Sequence, residues 1–283
     1  MIITRKSAEL QEQLDLYRQQ KRTIGFVPTM GALHQGHLSL IESSKLAANV
    51  TVCSIFVNPA QFNDPKDFEK YPNTIEKDLQ FLRDASTDIA FLPTVNDIYP
   101  NGFAQLEHYD LGYLETILEG HYRPGHFQGV CQVMTRLLQL VQPDHLLMGQ
   151  KDYQQCMVIS KLLHILFMED AVHFHICPTV READGLAMSS RNLRLNDQER
   201  KKAVAINEAL MHVRKEVHKG DLTTLELQAA SLLSSKGFKV DYFEIAKADN
   251  LELIHEWDGK TKLVALTAAF LNQVRLIDNM LLN

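Results

Sequence analysis

Short apolar runs alternate with amphipathic stretches through the first two thirds of this 283-residue chain, and no other feature constrains the fold as much. Residues 23–27, 50–57, 89–92, 145–148 and 172–177 read as strands. Between them, residues 38–48, 74–85, 127–141 and 153–168 carry apolar side chains at i, i+3 and i+4, the spacing of one helical face. Strand and helix taking turns in this way predict an α/β domain built on a doubly wound, Rossmann-like parallel sheet. Such sheets gather ligands beyond the C-terminal ends of their strands. His34, Asn58, Gln61, Gly149 and Lys151 all follow a strand end, so the polar motifs lie where this fold places a site.

After Pro178 the pattern changes to α+β. Residues 197–219 and 223–236 read as helices, and 240–246, 263–270 and 274–279 as strands, with Asp258-Gly259 as a turn between two of them. The expected organisation is a domain over residues 1–177 followed by a smaller α+β domain over 178–283. Lys and Arg number 29 against 35 Asp and Glu, a net charge of −6, and the longest basic run is Arg200-Lys201-Lys202, which argues against a nucleic-acid surface. No apolar stretch approaches the roughly 20 residues that cross a bilayer. Residues 1–5 open straight into a helical pattern and not into a signal peptide, so a cytoplasmic protein is expected. Cys53, Cys131, Cys156 and Cys177 sit in apolar runs without Cys-x-x-Cys spacing, the pattern of buried reduced thiols.

The chemistry concentrates first in Met30-Gly31-Ala32-Leu33-His34-Gln35-Gly36-His37, which joins the strand at 23–27 to the helix beginning at Leu38. A strand ending in Gly and small residues brings backbone N–H groups close to a phosphate, and the next helix adds a partial positive charge. His34 and His37 lie three apart, so in a first helical turn both imidazoles face one ligand and donate hydrogen bonds as negative charge builds. The bland reading is a pair of polar residues at a helix entrance. A second stretch from Thr179 to Asn192 carries the turn signal Asp184-Gly185 and then Met188-Ser189-Ser190-Arg191, two hydroxyls and a guanidinium in a mobile-looking loop suited to a triphosphate. Its bland reading is a salt-bridged surface turn. Because this loop begins the second domain, it is expected to act as a lid over the first.

Four ordered blocks sharpen the reading, three of them new: Phe56-Val57-Asn58-Pro59-Ala60-Gln61-Phe62, the stretch from Gly120 to Val130, and Gly149-Gln150-Lys151-Asp152-Tyr153-Gln154-Gln155, joined by the loop from Arg181 to Asn192. In this order, and along the whole chain, they resemble the pantoate–β-alanine ligase family of the HIGH-motif nucleotidyltransferase superfamily. The resemblance implies ATP-dependent condensation of pantoate with β-alanine to pantothenate, through pantoyl adenylate, with release of pyrophosphate and AMP. It implies ATP contacts from Met30, Gly31, Ala32, Leu33, His34, Gln35, Gly36, His37, Gly149, Gln150, Lys151, Asp152, Val180, Met188, Ser189, Ser190 and Arg191. His37, His34 and Lys151 take the catalytic roles, Gln61 and Gln155 bind pantoate, and Gln61 also meets β-alanine.

Each of these residues has a plainer alternative: a solvated lysine for Lys151, an N-cap for Asp152, surface amides for the glutamines. Arg123, Tyr71 and Asn58 are further candidates, and Asp78 is a candidate outer ligand of the Mg2+ that arrives with ATP, held chiefly by phosphates and water. No protein-held metal is expected: His121, His126, His173 and His175 invite a metal reading, and His173-Phe174-His175 places two imidazoles on one strand face, but plain strand decoration is the reading preferred. The family also implies a homodimer, with residues 52–56 and 104–118 as interface guesses. The rival readings are a related enzyme adenylating another small carboxylate, and a non-catalytic nucleotide-binding protein.

Overall fold

A computed structural model describes residues 1–63, 65–103 and 106–283, and the chain divides into two compact units. The first comprises Met1–Gly149 and Val158–Pro178, the second Gln150–Met157 and Thr179–Asn283. This partition differs from a single cut after residue 177 in one respect that matters: the segment following Gly149 groups with the C-terminal half of the chain.

In the first unit the order is β1 (Ile2–Thr4), α1 (Ser7–Gln19), β2 (Ile24–Thr29), α2 (Gln35–Ala47), β3 (Val50–Ile55), α3 (Pro65–Glu69), α4 (Ile75–Asp84), β4 (Ile89–Phe91), α5 (Val95–Ile98), α6 (Leu118–Tyr122), α7 (His126–Val141), β5 (His145–Gly149), α8 (Tyr153–Ile165) and β6 (His173–Cys177). The first five residues of α8 group with the second unit. The strands form a parallel sheet in the order β1-β4-β3-β2-β5-β6. From β2 the chain winds outward through β3 and β4, then returns to β5 and β6 on the other side, so the switch point lies between β2 and β5. These two strands pair only at Gly25–His145 and Phe26–Leu146, although β2 pairs with β3 over its whole length. Pro28, which has no N–H to donate, lies in the stretch past the last β5 partner. The sheet therefore parts toward its C-terminal end at the position where this topology receives ligands.

Burial follows the sequence pattern. All six residues of β3 are buried, and α7 buries Phe127, Val130, Cys131, Met134, Leu137, Leu138 and Val141 at helical spacing. Val27, Leu40, Ile41, Cys53, Leu79, Leu82, Ala90, Leu147 and Cys177 share one apolar cluster, fixing α2 and α4 to one face of the sheet. Residues 52–56 are interior to this unit and do not offer the exposed face an interface needs, which corrects that expectation. Of the other proposed interface segment, Ala104 and Gln105 lie outside the described residues. The expected helical opening is also corrected: Ile2–Thr4 is a short strand at the sheet edge, where Ile2 and Ile3 stay exposed and only Thr4 is buried.

The second unit carries α9 (Asp197–Ala203), α10 (Ala205–Glu216), β7 (Gly220–Asp221), α11 (Thr223–Ser235), β8 (Lys239–Lys247), β9 (Glu256–Trp257), β10 (Leu263–Leu271) and β11 (Val274–Leu281). Its antiparallel sheet runs β11-β10-β8, and α10 and α11 close an apolar cluster with it through Ile206, Leu210, Val213, Leu225, Leu233, Phe243, Ile245, Ala265 and Leu276. The helix expected over 197–219 divides at Val204. Asp258-Gly259 makes the expected turn, with the Asp258 carboxylate accepting from the N–H groups of Lys260 and Thr261, but a two-stranded ladder of β7 with β9 precedes it. Two-residue strands leave no periodic trace in a sequence.

Candidate functional site

At the end of β2 the chain turns through Gly31 (φ +81°) and Ala32 (φ +49°) before α2 begins. Two consecutive left-handed residues need an external hold, since the second carries a Cβ. Asp78, on α4 and 1% exposed, supplies it: one carboxylate oxygen accepts the Ala32 N–H at 2.9 Å, the other the Leu33 N–H at 2.8 Å, and the Thr74 hydroxyl donates to both. A Cβ on Gly31 would sit 3.0 Å from Ile55 and 3.1 Å from the same carboxylate, so glycine is required there twice over. Asp78 is thus a strut of the loop, and its oxygens are committed to protein donors.

The two histidines close α2 reciprocally. Nδ1 of His34 accepts the Gly36 N–H at 3.1 Å, and Nδ1 of His37 accepts the His34 N–H at 3.3 Å. This is the hydrogen-bond pattern of a capping box built from imidazoles. In a neutral imidazole whose Nδ1 accepts, the proton resides on Nε2. Both rings, 4.1 Å apart between centroids, therefore hold Nε2–H as their donor. The expected cradle of backbone amides is corrected accordingly: the N–H groups of Gly31, Ala32, Leu33, His34, Gly36 and His37 serve Thr29, Asp78, the two imidazoles and the His34 carbonyl.

Gln61 closes a 3-10 turn (Pro59–Gln61) after β3, capped by Asn58. The buried Asn58 amide donates to Gln61 Oε1 and to the Gly129 carbonyl and accepts from Ala60 N–H and the Tyr99 hydroxyl, while Gln61 Nε2 donates to Met30 Sδ. His126 Nδ1–H donates to the Gln61 carbonyl at 2.7 Å, and its Nε2 accepts from Arg123, whose guanidinium lies 3.6 Å from Glu119. α7 comes so close to this turn that a Cβ on Gly129 would lie 2.2 Å from the Ala60 carbonyl oxygen. Arg123 and His126 thus back the Gln61 turn. Tyr71 packs edge-on against Phe62, 5.9 Å between centroids. At Gly149, by contrast, an added Cβ meets nothing within 4 Å, so no protein contact demands that glycine.

In the second unit, Gln150–Asp152 forms a 3-10 turn leading into α8. Lys151 Nζ lies 3.5 Å from Asp152 Oδ1 and its side chain is 17% exposed. Tyr153 donates to the Ala248 carbonyl at 2.7 Å, its hydroxyl pushed up to about 12 by burial, and Gln155 is half-buried on α8. Residues 181–187 make a tight hairpin, bridged between Arg181 and Ala187, with the Met188 N–H on the Val180 carbonyl. Arg200 pairs with Asp184 at 2.7 Å and holds its carboxyl below the usual range. The stretch expected as an open loop closes into a 3-10 helix, Ser190–Arg194: Ser189 caps it by accepting the Arg191 N–H, Ser190 is buried, and Asn192 donates to the Ala187 carbonyl.

All four cysteines are free and buried, and burial pushes the Cys53 and Cys131 thiols up to about 12, so neither of these two is poised as a nucleophile. His173 and His175 stand beside His145, whose Nδ1 is 3.0 Å from His175 Nε2. No group of three His, Cys, Asp or Glu among the described residues could hold a metal ion. No helix among them is long and apolar enough to cross a membrane.

A doubly wound sheet with paired imidazole donors at its strand-to-helix corner defines a nucleotide-handling α/β protein. A model of the family described as Pantoate-beta-alanine ligase matches residues 2–281, and the chain belongs to that family. It is accordingly an amide-forming ligase whose ATP-dependent reaction yields pantothenate. The pantothenate synthetase of Cytophaga hutchinsonii is 42% identical over 285 residues, covering 100% of this chain and 99% of the relative. The crystal structure of pantothenate synthetase from Thermus thermophilus is similar with a TM-score of 0.91 at 38% identity, covering 99% of each chain. That of pantoate-beta-alanine ligase from Francisella tularensis, complexed with beta-gamma ATP and beta-alanine, gives a TM-score of 0.83 at 36% identity, covering 99% of this chain and 97% of that one. Nothing in these likenesses supports a different carboxylate as substrate.

Proposed function

We propose that the chain forms pantothenate in two half-reactions, with the residues singled out above in defined roles. In the first, a carboxylate oxygen of pantoate attacks the α-phosphorus of ATP, the bond to the β-phosphate bridge breaks, and pyrophosphate leaves pantoyl adenylate behind. In the second, the neutral amine of β-alanine attacks the acyl carbon, AMP leaves with the bonding pair, and the amine nitrogen gives up a proton. No covalent bond to the protein is needed.

The observation that carries this reading is the reciprocal imidazole cap, which orients the Nε2–H of both His34 and His37 as donors without a further conformational step. Donors aimed in advance at oxygens that gain charge lower the barrier. Lys151 adds a point charge for the phosphates. Met188, Ser189, Ser190 and Arg191 attend the β- and γ-phosphates, Val180 and Gly149 the nucleoside, and Asp152 the ribose. Gln61 and Gln155 bind pantoate, and Gln61 also meets β-alanine. Mg2+ accompanies the nucleotide. It is proposed to be held chiefly by phosphate oxygens and water; both Asp78 oxygens already accept N–H groups. The enzyme is proposed to work in the cytoplasm as a homodimer. The test is pantoate-dependent exchange of pyrophosphate into ATP with β-alanine withheld: exchange is expected, and none with pantoate at any concentration overturns the assignment.

A further inference from the structure

Two neighbours on β11, Asp278 and Asn279, are almost wholly buried, 4% and 2% exposed, and neither belongs to any of the motifs that mark the reaction. The Asn279 amide is spent on one short segment: its two Nδ2 hydrogens go to the carbonyls of Gln150 at 2.9 Å and Lys151 at 2.8 Å, and its Oδ1 accepts Gln150 Nε2 at 3.2 Å. The Asp278 carboxylate takes Arg181 in two parallel bonds of 2.6 and 3.0 Å, and Arg181 continues to the carbonyls of Gly185 and Asn279. The Asn279 N–H bonds to Asp278 Oδ1 at 2.8 Å, which locks the two side chains to each other.

We propose that Asp278 and Asn279 are positioning residues of this ligase, a buried polar clamp that holds the Gln150–Asp152 turn and the hairpin at 181–187 in one frame for ATP. The inference rests on the proposed ATP contacts of Lys151, Val180 and Met188. The physical argument is one of accounting for buried polar groups. Hydrogen-bond geometry inside a 3-10 turn is poor, so its carbonyls gain from a further donor, and removing a buried donor from them is costly. A primary amide with two donors on one nitrogen satisfies two successive carbonyls at once, which neither a hydroxyl nor a carboxylate can do. Without it the turn relaxes toward water, and the Lys151 ammonium loses its fixed origin. Gln155 is insulated from this change because α8 has its own anchor, Tyr153 on the Ala248 carbonyl. The clamp therefore governs the nucleotide and leaves pantoate untouched.

Asn279→Ala in the full-length enzyme tests this by steady-state kinetics in each substrate and by amide hydrogen exchange over Gln150–Asp152. Expected are a rise in KM for ATP of about tenfold, KM for pantoate and β-alanine within about twofold of the parent, and faster exchange in the turn. In a Lys151→Ala background the same change should raise KM for ATP by less than about threefold, because positions that act through one another are not additive. Emission of the single Trp257 and the melting curve report whether the second unit is folded. Should Asn279→Ala not fold, Asn279→Ser, which keeps one donor, is measured instead with the same expectations at smaller amplitude. A folded variant with unaltered KM for ATP and unaltered exchange overturns the clamp. A Lys151→Ala enzyme that turns over like the parent overturns the assignment of Lys151 instead, so the two failures are told apart.

Discussion

The corner at His34 and the turn at Lys151 are each held by a buried polar side chain far away in sequence, but with opposite chemistry. In the first unit Asp78 accepts two amides of a left-handed loop; in the second Asn279 donates to two carbonyls of a 3-10 turn. The difference teaches how each segment meets an anion. A carboxylate behind the loop takes up the Ala32 and Leu33 N–H groups, in keeping with the proposal that His34 and His37, themselves helix caps, are the donors to the phosphates. In the second unit the carbonyls of Gln150 and Lys151 are turned inward to an amide, and Lys151 is the side chain proposed for the phosphates. One corner is legible as local sequence; the other depends on a strand near the C-terminus.

Substitutions that separate these two anchors test the comparison. The largest effect is expected from His37→Ala, which removes a donor and a cap: kcat should fall by about a hundredfold to a thousandfold at saturating ATP. A fall smaller than tenfold would mean that the imidazole only caps the helix. Asp78→Ala leaves two loop amides without an acceptor and should lower stability by about 3 kcal/mol in urea unfolding. Equal stability with Asp78→Ala would deny that the first corner is braced by its carboxylate. Gly129→Ala forces a Cβ against the Ala60 carbonyl, so stability should drop by about 1–3 kcal/mol. KM for pantoate should rise by about tenfold as Gln61 shifts, while KM for ATP holds.

The smallest effect concerns the second unit alone. Glu226 accepts the Ile245 N–H at 2.7 Å, and burial pushes its carboxyl up to about 7 from an ordinary 4.5. Between those pH values the folded state binds more protons than the unfolded, so stability should fall as pH rises from about 4.5 to 7 and level off above. Denaturant titrations of wild type should show a loss on the order of 2 kcal/mol across that window. Glu226→Gln should flatten it, and a Gln variant with the parent's pH profile would place the dependence elsewhere.

Much of this was readable before any coordinates. Five of the six strands of the parallel sheet follow from apolar runs, and the His34 to His37 corner from its place between a strand and a helix. Other features left partial signals. Asp78 is an acid on the buried face of α4, beside Leu79 and Leu82, which marks it as partnered but not with what. His126 lay inside a recognised block, yet its partner, the Gln61 carbonyl, is a backbone atom that no side-chain pattern encodes. Asp278 and Asn279 looked like ordinary strand residues, since their partners precede them by about 100 to 130 positions. The edge strand at Ile2 left no sequence signal because three residues, two of them exposed, are too few to show a period.

The order of apolar runs, the histidine spacing and the glycines at left-handed turns were determined by sequence alone, because each follows from interactions within a few residues along the chain. That Asp78 occupies the Ala32 and Leu33 amides, and that the Gln150–Asp152 turn groups with the C-terminal half, were decided only by tertiary structure. The physical reason is that a buried donor takes whatever acceptor the fold brings within about 3 Å, and no local pattern specifies that neighbour.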